Sequence, residues 1–162
     1  MILYRQATFQ DLASICALGN AVNTIHHEAF PQVFAAVGEQ LRDAAHWANS
    51  IAQESATTFI AQEGDQLVGF VSLRIVNETH SMMQATRYGS IGSIGVAPHK
   101  RDQGIGRALM QCAQDWVIER GGQEVRLHVW AFNARAVQLY EELGYEIRTY
   151  AMTKPLTRTS SE

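Results

Sequence analysis

The residues best suited to chemistry lie in one stretch, Ile91-Gly92-Ser93-Ile94-Gly95-Val96-Ala97-Pro98-His99-Lys100-Arg101-Asp102-Gln103-Gly104-Ile105-Gly106-Arg107. A β-rich run stops at Pro98, a short loop carries Lys100 and Arg101, and Gly104 and Gly106 open a helix. A helix N-terminus exposes about four backbone N–H groups without partners, together with the positive end of the dipole. Glycine there lets a phosphate approach the backbone with no Cβ in the way, and Arg107 adds charge. The alternative is that the glycines serve only a tight strand-to-helix turn. The spacing is neither a Walker A loop nor a G-x-G-x-x-G fingerprint, which disfavours the usual nucleotide folds.

Other residues offer proton chemistry or ligation. His128 sits in a β-rich run, and histidine takes a proton near neutral pH; an inward-facing core histidine is the alternative. Glu78 and His80 share a polar stretch and could relay a proton through water. His26, His27 and Glu28 resemble metal ligands, but adjacent histidines cannot share a helix face and no H-E-x-x-H is present, so no metal is expected. Tyr140 lies one turn beyond Ala136 and reads on its own as a half-buried core aromatic. Asn133 reads as a helix N-cap. Cys112 shares a helix face with Ile105, Leu109 and Trp116, which makes it core and argues against a covalent cysteine intermediate. Gly89, Gly92 and Gly95 are poor strand residues and point to a bulge or a close backbone approach by a ligand, with a plain twisted strand as the alternative.

The elements that must position these residues follow from periodicity. Residues 3–7 read as a strand, Thr8 as an N-cap, and Leu12, Ile15, Cys16, Leu18 and Val22 as one helix face. From Asn23 to Gly38, around Pro31, the pattern predicts a loop with short helical pieces, then a helix over about 39–54. Residues 57–62 and 66–76 form a hairpin through Glu63-Gly64-Asp65, and 77–87 a loop. A strand over 90–97, a helix over 104–120 ended by Gly121-Gly122, and a strand over 124–131 come next. A helix over 133–143 with Gly144 as its C-cap and a last strand or hairpin over 145–154 complete the chain. The order β-α-α-β-β-β-α-β-α-β predicts an α/β (α+β) fold, a mixed sheet with helices on both faces.

Composition sets the outer limits. A chain of 162 residues is about one domain, expected over 1–155, with a frayed tail over 156–162. With 46% hydrophobic and 18% charged residues it can bury a core and is not intrinsically disordered. A net charge of −3 gives no basic field for nucleic acid. No apolar run approaches the ~20 residues of a membrane span, and the N-terminus lacks the pattern of a signal peptide. Cys16 and Cys112 form no disulfide framework. A soluble cytoplasmic protein is the expectation.

Two blocks carry a family resemblance. Arg101-x-x-Gly104-x-Gly106 matches the Q/R-x-x-G-x-G/A signature of the GNAT superfamily of acyl-CoA-dependent N-acetyltransferases. Leu127-His128-Val129, then Asn133-Ala134-x-Ala136-x-x-Leu139-Tyr140-Glu141-x-x-Gly144-Tyr145, resembles the family's second block, and Tyr4-Arg5-Gln6-Ala7-Thr8-x-x-Asp11 its opening. The resemblance covers residues 2 to about 154. It implies that Arg101, Asp102, Gln103, Gly104, Ile105, Gly106 and Arg107 hold the pyrophosphate of coenzyme A. Ile94, Gly95 and Val96 would pair with the pantetheine arm, in a cleft opened where the strands at 90–97 and 124–131 splay apart. Asn133 would hydrogen-bond the arm, with Ala136 in the same site, and Tyr140 would face the thioester sulfur.

Many members place a glutamate where this chain has Gly92, so that base is missing. Bacterial enzymes that acetylate ribosomal protein N-termini place a glutamate twelve residues before the tyrosine, the position of His128. The resemblance therefore implies an N-acetyltransferase using acetyl-CoA, with His128, Glu78, His80 or water as base and direct transfer in a ternary complex. Segments 23–38, 77–87 and 145–151, carrying His26, Phe30, Phe34, Glu78, His80, Tyr145 and Tyr150, would line the acceptor side. Their few acids disfavour a polycation and favour one amine on a small molecule or a peptide N-terminus. A non-catalytic acyl-CoA-binding module or a toxin-like acetyltransferase component is the alternative, and a homodimer is compatible with either.

Overall fold

The computed structural model describes residues 1–38 and 43–156. Side chains build the first turn from strand to helix. β1 (Ile2–Gln6) ends just before Thr8, and a single 3-10 turn (Phe9–Asp11) leads into α1 (Leu12–Ala29). Asp11 Oδ2 accepts the Thr8 N–H at 2.8 Å and its hydroxyl at 3.1 Å, while Arg5 donates to both Asp11 oxygens at 2.8 Å.

That Arg5 fork, with the two Thr8 donors, holds the Asp11 carboxyl down at about 2. A folded pKa below the ordinary ~3.9 means stabilisation that is present above that value and lost as pH falls toward about 2. Because the Asp11 and Arg5 side chains are 14% and 34% exposed, solvent screening trims the gain. Asp11→Asn should therefore lower unfolding free energy by about 1–2 kcal/mol near pH 7 in urea titrations. The gap to the parent should close by about pH 2.

α1 runs further than its periodicity predicts, reaching Ala29 where a loop was expected from Asn23. Past Val22 its side chains are half-buried or exposed, so no apolar stripe marks the helix. Nothing breaks it until Pro31, whose ring disfavours helix in the residue before it, and Phe30 leaves with φ −142°. α2 spans Ala44–Ala52; of the helix expected over 39–54, residues 39–42 lie outside the described residues, and 53–54 are not helical.

Next come β2 (Ala56–Glu63), β3 (Gln66–Glu78), β4 (Thr86–Val96), α3 (Ile105–Glu119), β5 (Glu124–Arg126) and α4 (Ala134–Glu142). The sheet order is β1-β2-β3-β4-β5, antiparallel except for the parallel β4–β5 pair. β3 and β4 outrun the expected strands and shrink the predicted loop over 77–87 to 79–85. The added rungs are polar: Asn77 pairs with Arg87, and the Arg87 guanidinium donates to Asn77 Oδ1 at 2.9 Å. Polar residues on both strands hide a ladder from hydrophobic patterning.

Two expected strands differ. β5 stops at Arg126 instead of 131, and no strand forms over 145–156. Alternation shows only that a segment could be a strand, whereas a ladder partner makes it one.

Phe70 packs on Trp47 of α2 at 5.0 Å, whereas a Cβ at neighbouring Gly69 would meet Ile105 and Leu109 of α3 at 3.0 Å. Successive residues of a strand face opposite sides, so α2 and α3 cover opposite faces of the sheet. Ile15, Cys16, Leu18, Trp47, Ile60, Phe70 and Ala97 form the core on the α1/α2 side. Ile105, Leu109, Met110, Ala113, Trp116 and Val117 are buried on α3, with Cys112 half-buried among them and its thiol pushed up by that burial. Gly121 ends α3 at φ 74°, the expected glycine C-cap.

The chain divides into two compact units, Met1–His128 and the stretch from Val129 onward. The second holds α4, whose cap is Asn133: its Oδ1 accepts the Ala136 N–H at 3.2 Å. Gly144, at φ 88°, follows the helix as its expected terminator.

Candidate functional site

The corner between β4 and α3 is unusual in its backbone. After β4, Pro98–Lys100 makes a 3-10 turn, and Lys100 is ion-paired with Glu63 at the end of β2, whose carboxyl it holds below the ordinary range. Asp102 then adopts φ 62°, the sole positive φ of a non-glycine among the described residues, and Gly104 adopts φ 78°. Left-handed residues in such a loop can aim successive N–H groups at one anion. Gly104 is the N-cap of α3 and has no side chain of its own to cap that end. A Cβ at Gly104 would meet nothing within 4 Å, so glycine is required there by backbone conformation, and the space above it is open. Arg101, Asp102, Gln103, Gly104, Ile105, Gly106 and Arg107 are thus one continuous loop and helix start, as expected.

β4 is paired unequally on its two edges. β3 pairs with it over ten rungs, but β5 over only three, Tyr88–Glu124, Gly89–Val125 and Ser90–Arg126. Beyond Ser90, β4 runs on to Val96 with no ladder on that edge among the described residues. Ile94, Gly95 and Val96 lie in this one-sided stretch, and all three residues of β5 are paired with β4, the ladder ending at Ser90–Arg126.

Gly92 is the extra residue of a β-bulge, since Ser72 pairs with Ser93 and Leu73 with Ile91. The Ser72 hydroxyl oxygen accepts the Ser93 N–H at 3.0 Å. Gly95 has another cause: a Cβ there would lie 2.8 Å from both Phe70 and Val22 side chains, so α1 and Phe70 press on that face of β4.

His26, Phe30 and Phe34 come together. The His26 and Phe34 rings are 5.1 Å apart, the Phe34 N–H donates to Phe30 O at 3.0 Å, and His27 Nδ1 donates to Phe34 O at 2.7 Å. His26 lies one helical turn beyond Val22, on the same face. Glu78 accepts the His80 N–H at 3.0 Å, and His80 Nδ1 accepts the Met82 N–H at 3.2 Å, on an exposed hairpin tip. His128 is exposed, two residues past the end of β5, so it is neither the strand residue expected nor a core histidine.

In the second unit Tyr140 is buried, 5.8 Å from the Tyr145 ring, and burial followed by the Tyr145 charge pushes its phenol up to about 12. No group of three or more His, Cys, Asp or Glu able to hold a metal, and no helix long and apolar enough to cross a membrane, occurs among the described residues.

One cluster escaped the sequence reading. The Arg126 guanidinium lies 3.8 Å from the Tyr88 ring centroid, and its Nε donates to Glu124 Oε1 at 2.6 Å. The signal was available: Glu124 and Arg126 are opposite charges two apart on a strand and so share a face.

The sequence profile of the Acetyltransferase (GNAT) family matches residues 20–145. The chain belongs to the GNAT acetyltransferase family. It is 27% identical over 143 residues to YhfO, an uncharacterized N-acetyltransferase of Bacillus subtilis, with 88% of each chain covered. Among solved structures, a mutant of the BH1408 protein of Bacillus halodurans superposes with a TM-score of 0.89 at 22% identity, over 96% of this chain and 99% of that one. The aminoglycoside N-acetyltransferase AAC(6')-Iy in complex with CoA gives 0.75 at 17% identity, over 96% and 95%. These two structural likenesses speak for the fold of this GNAT chain alone.

Proposed function

We propose that this protein transfers the acetyl group of acetyl-CoA to a primary amine by direct attack within a ternary complex, with residues 1–155 working as one domain. The supporting observation is the corner at 101–107, where left-handed Asp102 and Gly104 lead into α3 with a glycine N-cap and open space above it. Those features suit a pyrophosphate, which takes several N–H donors and favours a helix N-terminus. The one-sided edge of β4 at Ile94, Gly95 and Val96 suits the amide-bearing pantetheine arm, which can hydrogen-bond like an added strand.

An ammonium has no lone pair, so the amine must lose a proton before or during attack on the thioester carbonyl. The C–N bond then forms, the C–S bond breaks, and the thiolate needs a donor. In this reading His128 takes the amine proton, Tyr140 faces the leaving sulfur, and Asn133 holds the arm while capping α4. His26, Phe30 and Phe34 line the acceptor side with aromatic rings, which suits an amine with an apolar flank, on a small molecule or a peptide N-terminus.

Acetyl-CoA at 100 times its Kd should stabilise the fold by about 2.7 kcal/mol, read as a rise in Tm. Coenzyme A release should then be followed with amino acids, polyamines, aminoglycosides and N-terminal peptides. No rise in Tm overturns the cosubstrate. A rise without turnover of any amine makes the chain an acyl-CoA-binding module.

A further inference from the structure

The β4–β5 ladder is short. Its three rungs compare with five between β1 and β2 and eight between β2 and β3, and parallel pairs are slightly weaker per residue than antiparallel ones. Tyr88, Ser90, Glu124 and Arg126 alternate with Gly89 and Val125, so all four share the face away from α3, where a Cβ at Gly89 would strike Val117 at 2.2 Å. On that face Arg126 covers the Tyr88 ring of the neighbouring strand and donates to Glu124 on its own. This contact crosses the two strands at the end of the ladder. Two residues further along β4 stands the Gly92 bulge, which re-aims the strand.

We propose that Arg126, stacked on Tyr88 and tied to Glu124, is a positioning residue that fixes where the β4–β5 ladder ends and thereby how much of the β4 edge stays open for the acyl-CoA arm. The inference rests on the proposed function, because the arm is what that open edge would receive. An arm that hydrogen-bonds to β4 needs strand-like spacing of about 4.8 Å on that edge. With the clamp gone, β5 can either zip further along β4 or peel away, and both spoil that spacing.

The test compares Arg126→Ala, Arg126→Lys, Tyr88→Leu and Tyr88→Phe in the full chain. Steady-state kinetics with acetyl-CoA and hydrogen exchange of the amides over 88–90 and 124–126 are read on each. Arg126→Ala and Tyr88→Leu should raise KM for acetyl-CoA about fivefold, equivalent to about 1 kcal/mol, with kcat at saturation within about twofold. Exchange over 124–126 should accelerate in both. Tyr88→Phe keeps the ring and should retain most of the affinity, while Arg126→Lys keeps the charge but not the planar fork and should recover only part.

Unchanged KM in the two disruptive variants overturns the proposal, as does a fall in kcat alone. Should Arg126→Ala fail to fold, Tyr88→Leu gives the same reading. A parent protein that does not bind coenzyme A rejects the proposed function and this inference with it. Binding by the parent with unchanged variants rejects the inference alone.

Discussion

Tyr140→Phe should lower kcat about 100-fold and leave acetyl-CoA affinity within about twofold. Burial and the neighbouring Tyr145 push the phenol up to about 12, so it carries its proton at any ordinary assay pH. It can therefore donate to a leaving sulfur but cannot serve as the base. A thiol with a pKa of about 8.5 makes a thiolate that a phenol near 12 protonates only uphill. Under the proposed function the phenol would contribute a hydrogen bond to charge as it develops on sulfur, which places the expected loss at the low end of the usual 10²–10⁴-fold range. Because the folded pKa is raised, no loss of rate from Tyr140 ionisation should appear below about pH 10, and the high-pH limb should lie above that. His128→Gln in the same assay should lose most of its rate through the other proton. Parental kcat in Tyr140→Phe would return Tyr140 to packing against Tyr145.

The features of the fold and of the candidate site legible in the sequence are those with local causes. Gly104 and Gly121 announce themselves because their left-handed backbones favour glycine, and Asn133 because its side chain caps its own helix. A bulge is one of three readings that a glycine in a strand allows at Gly92, and the register on β3 selects it.

What was not legible depends on partners distant in sequence. Gly95 is glycine because Phe70 and Val22 crowd that point, which nothing near residue 95 reveals. The ends of β5 and of the ladder over 77–87 follow from which rungs find a mate. α1 was read short because a helix half-exposed along its second half has no reason to keep an apolar period. Alternating neighbours predict a strand at His128, yet the pairing that makes a strand stops two residues earlier.

The largest effect on binding should come from Gly104→Val. The residue sits at φ 78°, where a β-branched side chain is strained by about 1–3 kcal/mol, so the variant should melt earlier without ligand. That loss alone says nothing about coenzyme A, because a glycine needed only for a tight turn predicts it equally. The two readings separate when acetyl-CoA is added. A Cβ at Gly104 now meets nothing within 4 Å, so a valine would occupy open space and relieve no crowding. If a pyrophosphate approaches the backbone there, the branched side chain should weaken binding by about 100-fold or more. At a concentration that gives the parent about 2.7 kcal/mol, a 100-fold weaker variant gains only about 0.4 kcal/mol, since ligand then merely equals its Kd. The measurement is the Tm rise on adding acetyl-CoA, taken for parent and variant from their own ligand-free values. A lowered baseline with an undiminished rise would leave Gly104 as a turn residue and move the pyrophosphate elsewhere. A lowered baseline with the rise nearly abolished would place it at the start of α3.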